Sequence, residues 1–581
     1  MTRLLTPLPG WARLVIGTAL IAGGAVLLGK PFDTLELLVP SLGMGAIAAG
    51  LGTLIATRGR GVSITAPAIV AVLAGGVCLI FSDELVEVLP IITAAAMLVA
   101  GGRRLRTFVG GRSASRVAML ASGVAWTGFG IAALLWRDLT QVLIGLLIAP
   151  IAILAGLRLL LSLRSRRQYG DAAPRRPARL SAWLRTGTAV LSAVLALAIL
   201  AGTVSLYRSV PRIDAFYDPP DTIPQSPGQL LKQETFTRDL PENARAIRIL
   251  YTTPEIDGVT MGVGSAIVYL PEAPATTPIP VILWTHGTTG VAQECAPSLA
   301  DDPLGSGAMP ARQQVIDNGW AIVMPDYIGL GTAAPHPYLV GIPAARSSLD
   351  ALRAAHQLSD GNLAPDTIVW GHSQGGGTAL WTGIESLTYA PELTLLGVAA
   401  MAPASDLSSL ADPLTSTTFG RVFGTFLVHG YSAYYDDVAF DDYFRPAALV
   451  PYEAMTKRCL SSQATLASVA VALADDDVFE QSVGSGPLAE RMAENVPRTV
   501  TGIPTFIGQG ASDQLILPAV QEAYVRAYCD DEQVIEYISY AGRTHLSVVD
   551  DDSALIPDLL AWTTARFTGE PAATSCSFTA K

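Results

Sequence analysis

With 581 residues and a mean hydropathy of +0.40, the chain is too long for one ordinary domain and too apolar for a simple soluble enzyme. The formal net charge of −12 hides an asymmetry: up to position 210 there are 20 Lys and Arg against 7 Asp and Glu, and beyond it 18 against 43. A basic, apolar amino-terminal part joined to an acidic remainder points to a membrane-embedded region carrying a water-soluble one, and argues against nucleic acid as a partner of either. Lysine occurs only at Lys30, Lys232, Lys457 and Lys581, so nearly all positive charge is arginine, from which no function follows.

Apolar runs near 11–29, 35–56, 63–81, 86–101, 117–136, 140–161 and 186–207 each approach the roughly 17–25 residues that cross a bilayer, which predicts seven spans. Arginines mark alternate loops: Arg3 and Arg13, Arg58 and Arg60, Arg103 to Arg116, and Arg164 to Arg185. The positive-inside rule then puts the amino terminus in the cytoplasm and everything after span seven outside. A cleaved signal peptide is the competing reading of the first run, but further spans follow at once with no clear small-residue cleavage site between.

Within residues 1–165 the stretches GGAVLLGKPFDTLELLVP, AGGVCLIFSDELVEVLP and GFGIAALLWRDLTQVLIG each place a Gly-rich helix end before an acidic turn and a second apolar helix. Three helical hairpins are expected, with Asp33, Asp83 and Asp138 at equivalent outer turns, where a charge costs little. In these repeated hairpins the region resembles the six-span membrane proteins of the HdeD type, a likeness that implies no catalytic mechanism. Residues 166–185 read as a basic cytoplasmic linker and 186–207 as the seventh span. The proline-rich 216–236 reads as an extended strap.

From about 245 short β-rich runs alternate with helical ones, the pattern of an α/β fold with a mostly parallel sheet. Strands are expected at 281–285, 320–325, 367–371, 395–401, 503–508 and 534–539, and ligands of such sheets bind beyond the carboxyl ends of the strands. After the third of these comes GHSQG (371–375), then small residues opening a helix. A strand-turn-helix around G-x-S-x-G forces the serine into a strained conformation and exposes its hydroxyl, which makes Ser373 the candidate nucleophile. A chance match in a glycine-rich chain is the bland alternative.

A serine hydroxyl needs a histidine base and an acid to orient it, in the chain order Ser, Asp, His. Of the six histidines His286, His336, His356 and His372 precede the serine, His429 falls in a region expected to be a cap, and His545 follows the last strand in YAGRTHLS. Asp513, in GQGASDQLILP, is the expected acid, and Asp406 in PASDL competes with it. Asp550, Asp551 and Asp552 read as a solvated surface. Two backbone amides must face the oxyanion, one from Gln374 and one from the WTHGTTG loop, expected at Thr288 with Thr289 as alternative. His286 reads as a structural hydrogen-bonding residue.

Taken with the 216–236 strap, HGTTGVAQECAPSL (286–299), PDYIGLGTAAPHPYLVG (325–341) and GHSQGGGTALW (371–381) resemble the secretory lipases, a family of the α/β-hydrolase superfamily, over about 211–581. The resemblance implies the same Ser373, Asp513 and His545, an α/β-hydrolase fold, and disulfides joining Cys295 to Cys459 and Cys529 to Cys576. By themselves the four cysteines permit three pairings, and their place after the spans suits an oxidising compartment. Members of that family ordinarily carry only a signal peptide, so the multi-span region is a departure.

Residues 403–500 are expected to form a helical cap inserted between two core strands. Its Phe423, Phe426, Tyr431, Tyr434 and Tyr435 either line an acyl pocket or, as aromatic residues of a cap more often do, form its own core. No cofactor or metal is implied. The expectation is a membrane-anchored, extracytoplasmic serine ester hydrolase acting on lipid-like esters. An acyltransferase using the same residues, and a membrane stress or transport protein whose outer domain only binds a ligand, are the alternatives.

Overall fold

The computed structural model describes residues 9–56, 62–110, 116–165, 178–208, 210–273, 276–359 and 361–581. These fall into two compact units: Met1–Arg208 with Phe444–Ala454 and Leu466–Glu480, and Ser209–Tyr443 with Met455–Thr465 and Gln481–Lys581.

The first unit is helical. Its amino-terminal helices are Gly10–Val26, Pro31–Ala56, Val62–Ile80, Ser82–Gly110, Arg116–Leu135, Arg137–Ser165 and Ala178–Arg208. They carry leucine, isoleucine and valine on their exposed faces, as helices do when the surrounding solvent is hydrocarbon. Five are long and apolar enough to cross a membrane: Pro31–Ala56, Ser82–Val109, Arg116–Leu135, Arg137–Leu163 and Trp183–Arg208. Among the described residues five helices, and not the seven expected, meet that length and composition. Gly10–Val26 has 17 residues, about 26 Å of helix against a hydrocarbon core of about 30 Å, and Ala66–Ile80 is a shorter apolar helix of the same kind. Of the expected linker, 166–177 lie outside the described residues, and 178–185 belong to the helix Ala178–Arg208.

Helix pairing also departs from the three expected hairpins. Packing is most extensive between Pro31–Ala56 and Val62–Ile80, between Ser82–Gly110 and Arg116–Leu135, and between Gly10–Val26 and Arg137–Ser165. The physical reason is where the glycines fall. A Cβ on Gly43 would stand 2.8 Å from the Gly75 carbonyl oxygen, and one on Gly156 2.5 Å from that of Gly17, so these backbones touch where side chains would hold them apart.

Two pieces of the expected cap, Phe444–Ala454 and Leu466–Glu480, belong to this first unit. Asp33 is more than a turn residue, since it pairs with Lys30 at 3.5 Å and with Arg445 at 2.7 Å. Arg445 reaches Glu36 at 2.5 Å and Asp477 at 3.1 Å as well. The Phe32 amide donates to Asp475 at 3.2 Å, and Gln141 Nε2 donates to the Ala447 carbonyl at 3.0 Å.

The second unit is built on a ten-stranded sheet. Its strands are β1 (Leu230–Phe236), β2 (Ala244–Pro254), β3 (Met261–Pro271), β4 (Ile279–Thr285), β5 (Ala321–Pro325), β6 (Leu363–His372), β7 (Thr394–Met401), β8 (Thr505–Gly510), β9 (Ile535–Tyr540) and β10 (Ser577–Ala580). They lie in the order β1-β2-β3-β5-β4-β6-β7-β8-β9-β10. β1, β2, β3 and β5 pair antiparallel, and the pairings from β5 through β4 to β10 are parallel.

The central strands are buried on both faces, which explains why they read as continuous apolar runs. One face packs Trp284, Trp370, Phe506 and Trp562, and the other Leu283, Val323, Leu352 and Ile507. Six expected strands correspond to β4 to β9, and the α/β-hydrolase architecture follows. Cys295 is bonded to Cys459 and Cys529 to Cys576.

Candidate active site

β6 delivers its chain into the helix Gln374–Ser386 through a single residue, Ser373, at φ 57° and ψ −120°. That left-handed conformation is costly for a residue with a side chain, of order 1–3 kcal/mol, and persists only where the surroundings impose it. Here they are glycines. A Cβ on Gly371 would lie 2.1 Å from the Gly375 carbonyl oxygen, and one on Gly375 1.9 Å from that of Thr285. The Ser373 amide donates to the Met401 carbonyl at 3.0 Å, and its carbonyl accepts from Ala404 at 3.0 Å, which ties the turn to β7.

The loops after β8 and β9 bring the other two candidates to the same sheet edge. His545 Nε2 is 2.8 Å from Ser373 Oγ, and His545 Nδ1 is 2.8 Å from Asp513 Oδ2. Asp513 Oδ1 accepts from the amides of Leu515 at 2.8 Å and Ile516 at 2.9 Å, while Oδ2 also accepts from Gln509 Nε2 at 3.1 Å. Those donors hold the buried carboxylate in one orientation. It fixes the imidazole with the Nδ1 proton toward the acid, leaving Nε2 to accept from the serine.

A second histidine backs this arrangement. His372, buried, donates Nε2–H to the His545 carbonyl at 2.9 Å. Burial pushes its pKa down to about 3, so it stays neutral beside the first imidazole.

The other candidates resolve into structural roles. Asp406 caps the helix Leu407–Thr415, accepting from the Ser409 amide at 3.1 Å and from the Ser408 and Ser409 hydroxyls at 2.7 Å. Asp552 pairs with Arg543 at 2.7 Å on the surface. His286 is buried between the Gly287 and Asp326 carbonyls, and burial lowers its pKa to about 4.

In the loop after β4 the Gly287 amide is engaged with the Gly307 carbonyl at 3.1 Å, whereas the Thr288 amide has no partner among the described residues. Gln374 opens its helix, where the first amides lack intrahelical acceptors. The Thr289 carbonyl accepts from the Leu460 amide at 2.8 Å, next to the Cys295–Cys459 disulfide, and its own amide, like that of Thr288, has no partner among the described residues.

An apolar cleft opens on Ser373 and His545. Thr288, Tyr338, Gln374 and Ile516 lie near its floor, and Leu407, Leu410, Leu414, Phe423 and Leu427 form its walls. Leu407, Leu410 and Leu414 share one face of a helix, and Phe423 and Leu427 sit four apart on the next, Thr418–Tyr434. That spacing is the signal by which sequence could have found the lining leucines, whereas the aromatic residues are the more conspicuous and the poorer guide. Only Phe423 of the aromatic group lines the cleft. Phe426 and Tyr431 are fully buried, and Tyr435 accepts from Asn495 at 2.7 Å. Among the described residues no group of three or more His, Cys, Asp or Glu is disposed to hold a metal.

Comparison with known proteins bears on this unit. Residues 311–575 match the family described as secretory lipase. Lipase 6 of Candida albicans is 25% identical over 292 residues, covering 46% of this chain and 59% of that protein. A Mycobacterium tuberculosis protein with the name "Probable inactive lipase MT1628" is 27% identical over 232 residues, 38% of this chain and 49% of its own. The chain therefore spans less than two thirds of either relative. The X-ray structure of Candida antarctica lipase A superposes with a TM-score of 0.54 at 20% identity, over 63% of this chain and 88% of that one, a likeness of fold. The carboxy-terminal unit thus has an α/β-hydrolase fold, and residues 311–575 within it are similar to the secretory lipases.

Proposed function

We propose that this chain is a membrane-anchored serine ester hydrolase that cleaves lipid-like carboxylic esters through an acyl-enzyme on Ser373. The observation that carries the reading is the unbroken hydrogen-bond chain from Asp513 through His545 to Ser373, 2.8 Å at each link, ending on a serine in a strained turn. Because one relative is named as inactive, family likeness weighs less than this geometry.

In the proposed cycle His545 Nε2 takes the Ser373 proton as the hydroxyl attacks the ester carbonyl. The amides of Gln374 and Thr288 receive the oxyanion, and the imidazolium, held by Asp513, protonates the leaving alcohol. Water, activated by the same imidazole, then releases the acid. The leucine-lined cleft suits an acyl chain, since apolar surface leaving water is worth about 25 cal/mol per Å².

Anchoring is supported by five long apolar helices. Loop arginines and two disulfides in the second unit favour an outside location for the hydrolase.

The test is hydrolysis of p-nitrophenyl esters by the full chain in detergent. Ser373→Ala is expected to lose at least about 10³-fold in kcat; wild-type turnover in that variant would end the proposal. For the topology, protease added to intact cells is expected to digest residues beyond 210, and full protection of them would reverse the orientation.

A further inference from the structure

We propose that His336 and Tyr338 are positioning residues that hold both oxyanion donors in register, an inference that rests on the serine hydrolase reading above. The two donor residues come from distant parts of the chain, Thr288 after β4 and Gln374 after β6. The backbones of β4 and β6 are paired, and Thr285 Oγ1 donates to the Gly375 carbonyl at 2.8 Å, but the side chains of the two donor residues are held by a single three-residue stretch, His336-Pro337-Tyr338. Tyr338 Oη lies 2.7 Å from Thr288 Oγ1, and His336 Nε2 lies 3.3 Å from Gln374 Nε2.

The proton positions are consistent throughout. His336 Nδ1 is 2.9 Å from the Ile328 carbonyl, which can only accept, so the imidazole carries its proton on Nδ1. Nε2 is then a lone pair, and the Gln374 amide donates to it. That fixes the carboxamide of the residue whose backbone N–H faces the oxyanion. Burial lowers the His336 pKa to about 4, so this tautomer persists at neutral pH.

The stretch is itself immobilised from both sides. Ring centroids step from His286 to Tyr327 at 4.2 Å, from Tyr327 to His336 at 6.1 Å, from His336 to Tyr338 at 6.2 Å and from Tyr338 to Phe426 at 6.0 Å. This column begins beside the donor loop and ends on the helix Thr418–Tyr434, which walls the cleft. On that helix a Cβ at Gly430 would be 2.5 Å from the Tyr338 amide nitrogen, so helix and stretch are in backbone contact. A ring needed only to fill the core requires no hydroxyl. Tyr338 is buried and places its hydroxyl on the donor loop.

The experiment compares Tyr338→Phe, His336→Ala and His336→Gln with wild type, and with Ser373→Ala, as full chains in detergent on a p-nitrophenyl ester. Tyr338→Phe and His336→Ala are expected to lower kcat about tenfold with KM changed less than about twofold, since misplacing a donor costs the transition state rather than substrate binding. His336→Gln, whose carbonyl oxygen can accept from Gln374, is expected to recover most of the loss. Inactivation by a p-nitrophenyl phosphonate, which needs the same oxyanion donors, should slow in step with kcat while the melting temperature of Tyr338→Phe stays near wild type. Should His336→Ala fail to fold, Tyr338→Phe and His336→Gln decide. Unchanged kcat in Tyr338→Phe, or a loss confined to KM, overturns the inference. Wild-type turnover in Ser373→Ala would remove the serine reading and this one together, whereas an inactive Ser373→Ala beside a fully active Tyr338→Phe removes this one alone.

Discussion

Asp326 stands outside the proposed chemistry and enters the folding equilibrium directly. It is fully buried after β5, accepting from the hydroxyls of Ser265 at 2.6 Å and Ser298 at 2.5 Å and from the Ser298 amide at 2.8 Å. Burial outweighs those donors and pushes its pKa up to about 6 from an ordinary 3.8. Because the folded value is the higher one, the unfolded chain releases this proton first as pH rises. Stability therefore falls between about pH 4 and 6 and stays lower above, by at most about 3 kcal/mol. Asp326→Asn keeps an acceptor and removes the charge. Its melting temperature relative to wild type is expected to rise as pH goes from 4 to 7, and a difference independent of pH would refute this. The candidate triad was readable at this scale because each member directly follows an apolar strand and the order Ser, Asp, His is constrained by the fold. His336 and Tyr338 were not: their significance is a pair of contacts to residues far away in the chain, and no local pattern encodes them.

Among elements, β4 to β8 were legible because their buried stretches are apolar runs, whereas β9 alternates buried with half-buried residues. β10 carries no such signal, with four exposed residues paired to β9 and Phe578 set against Tyr537 and Arg526, and β1 lies at the end of a stretch that reads as an extended strap. The amino-terminal helices were found while their partners were not, because which glycines meet depends on faces that hydropathy does not report. The helix Leu407–Thr415 offers the sharpest test of the cleft. Leu410 lines it, so Leu410→Trp fills space that a long acyl chain would occupy. The ratio of kcat/KM for a sixteen-carbon ester to that for a four-carbon ester is expected to fall by about one to two orders of magnitude, the scale of one to three kcal/mol that a few methylenes carry. An unchanged ratio would mean that the chain binds elsewhere.

For the molecule as a whole, the charge asymmetry sets a basic, apolar part, which is helical, apart from an acidic one, which holds the sheet, but it does not mark where the one ends. Position 210 looks like a boundary in composition, yet the chain re-enters the first unit at Phe444–Ala454 and again at Leu466–Glu480. An ion pair such as Arg445 to Asp33, more than four hundred residues apart in sequence, leaves no trace in composition. A fragment of 211–581 should consequently expose Tyr452, which packs on Phe32 in the full chain and also lies against Phe444. We expect it to bind a hydrophobic dye and to aggregate under conditions in which the detergent-solubilised full chain remains monodisperse. A well-behaved, dye-negative fragment would show that these pieces are stable without the helices.

The same double re-entry bears on any attempt at transplantation. The eleven residues Met455–Thr465, which hold Cys459 and Leu460, are the bridge between the two excursions, and they grip the loop of Thr288 and Thr289 by a disulfide and a main-chain hydrogen bond. Replacing the amino-terminal third with a foreign leader would strip both abutments from that bridge at once, so a working chimaera has to be redesigned on the stretch 444–480 and not merely respliced near 210.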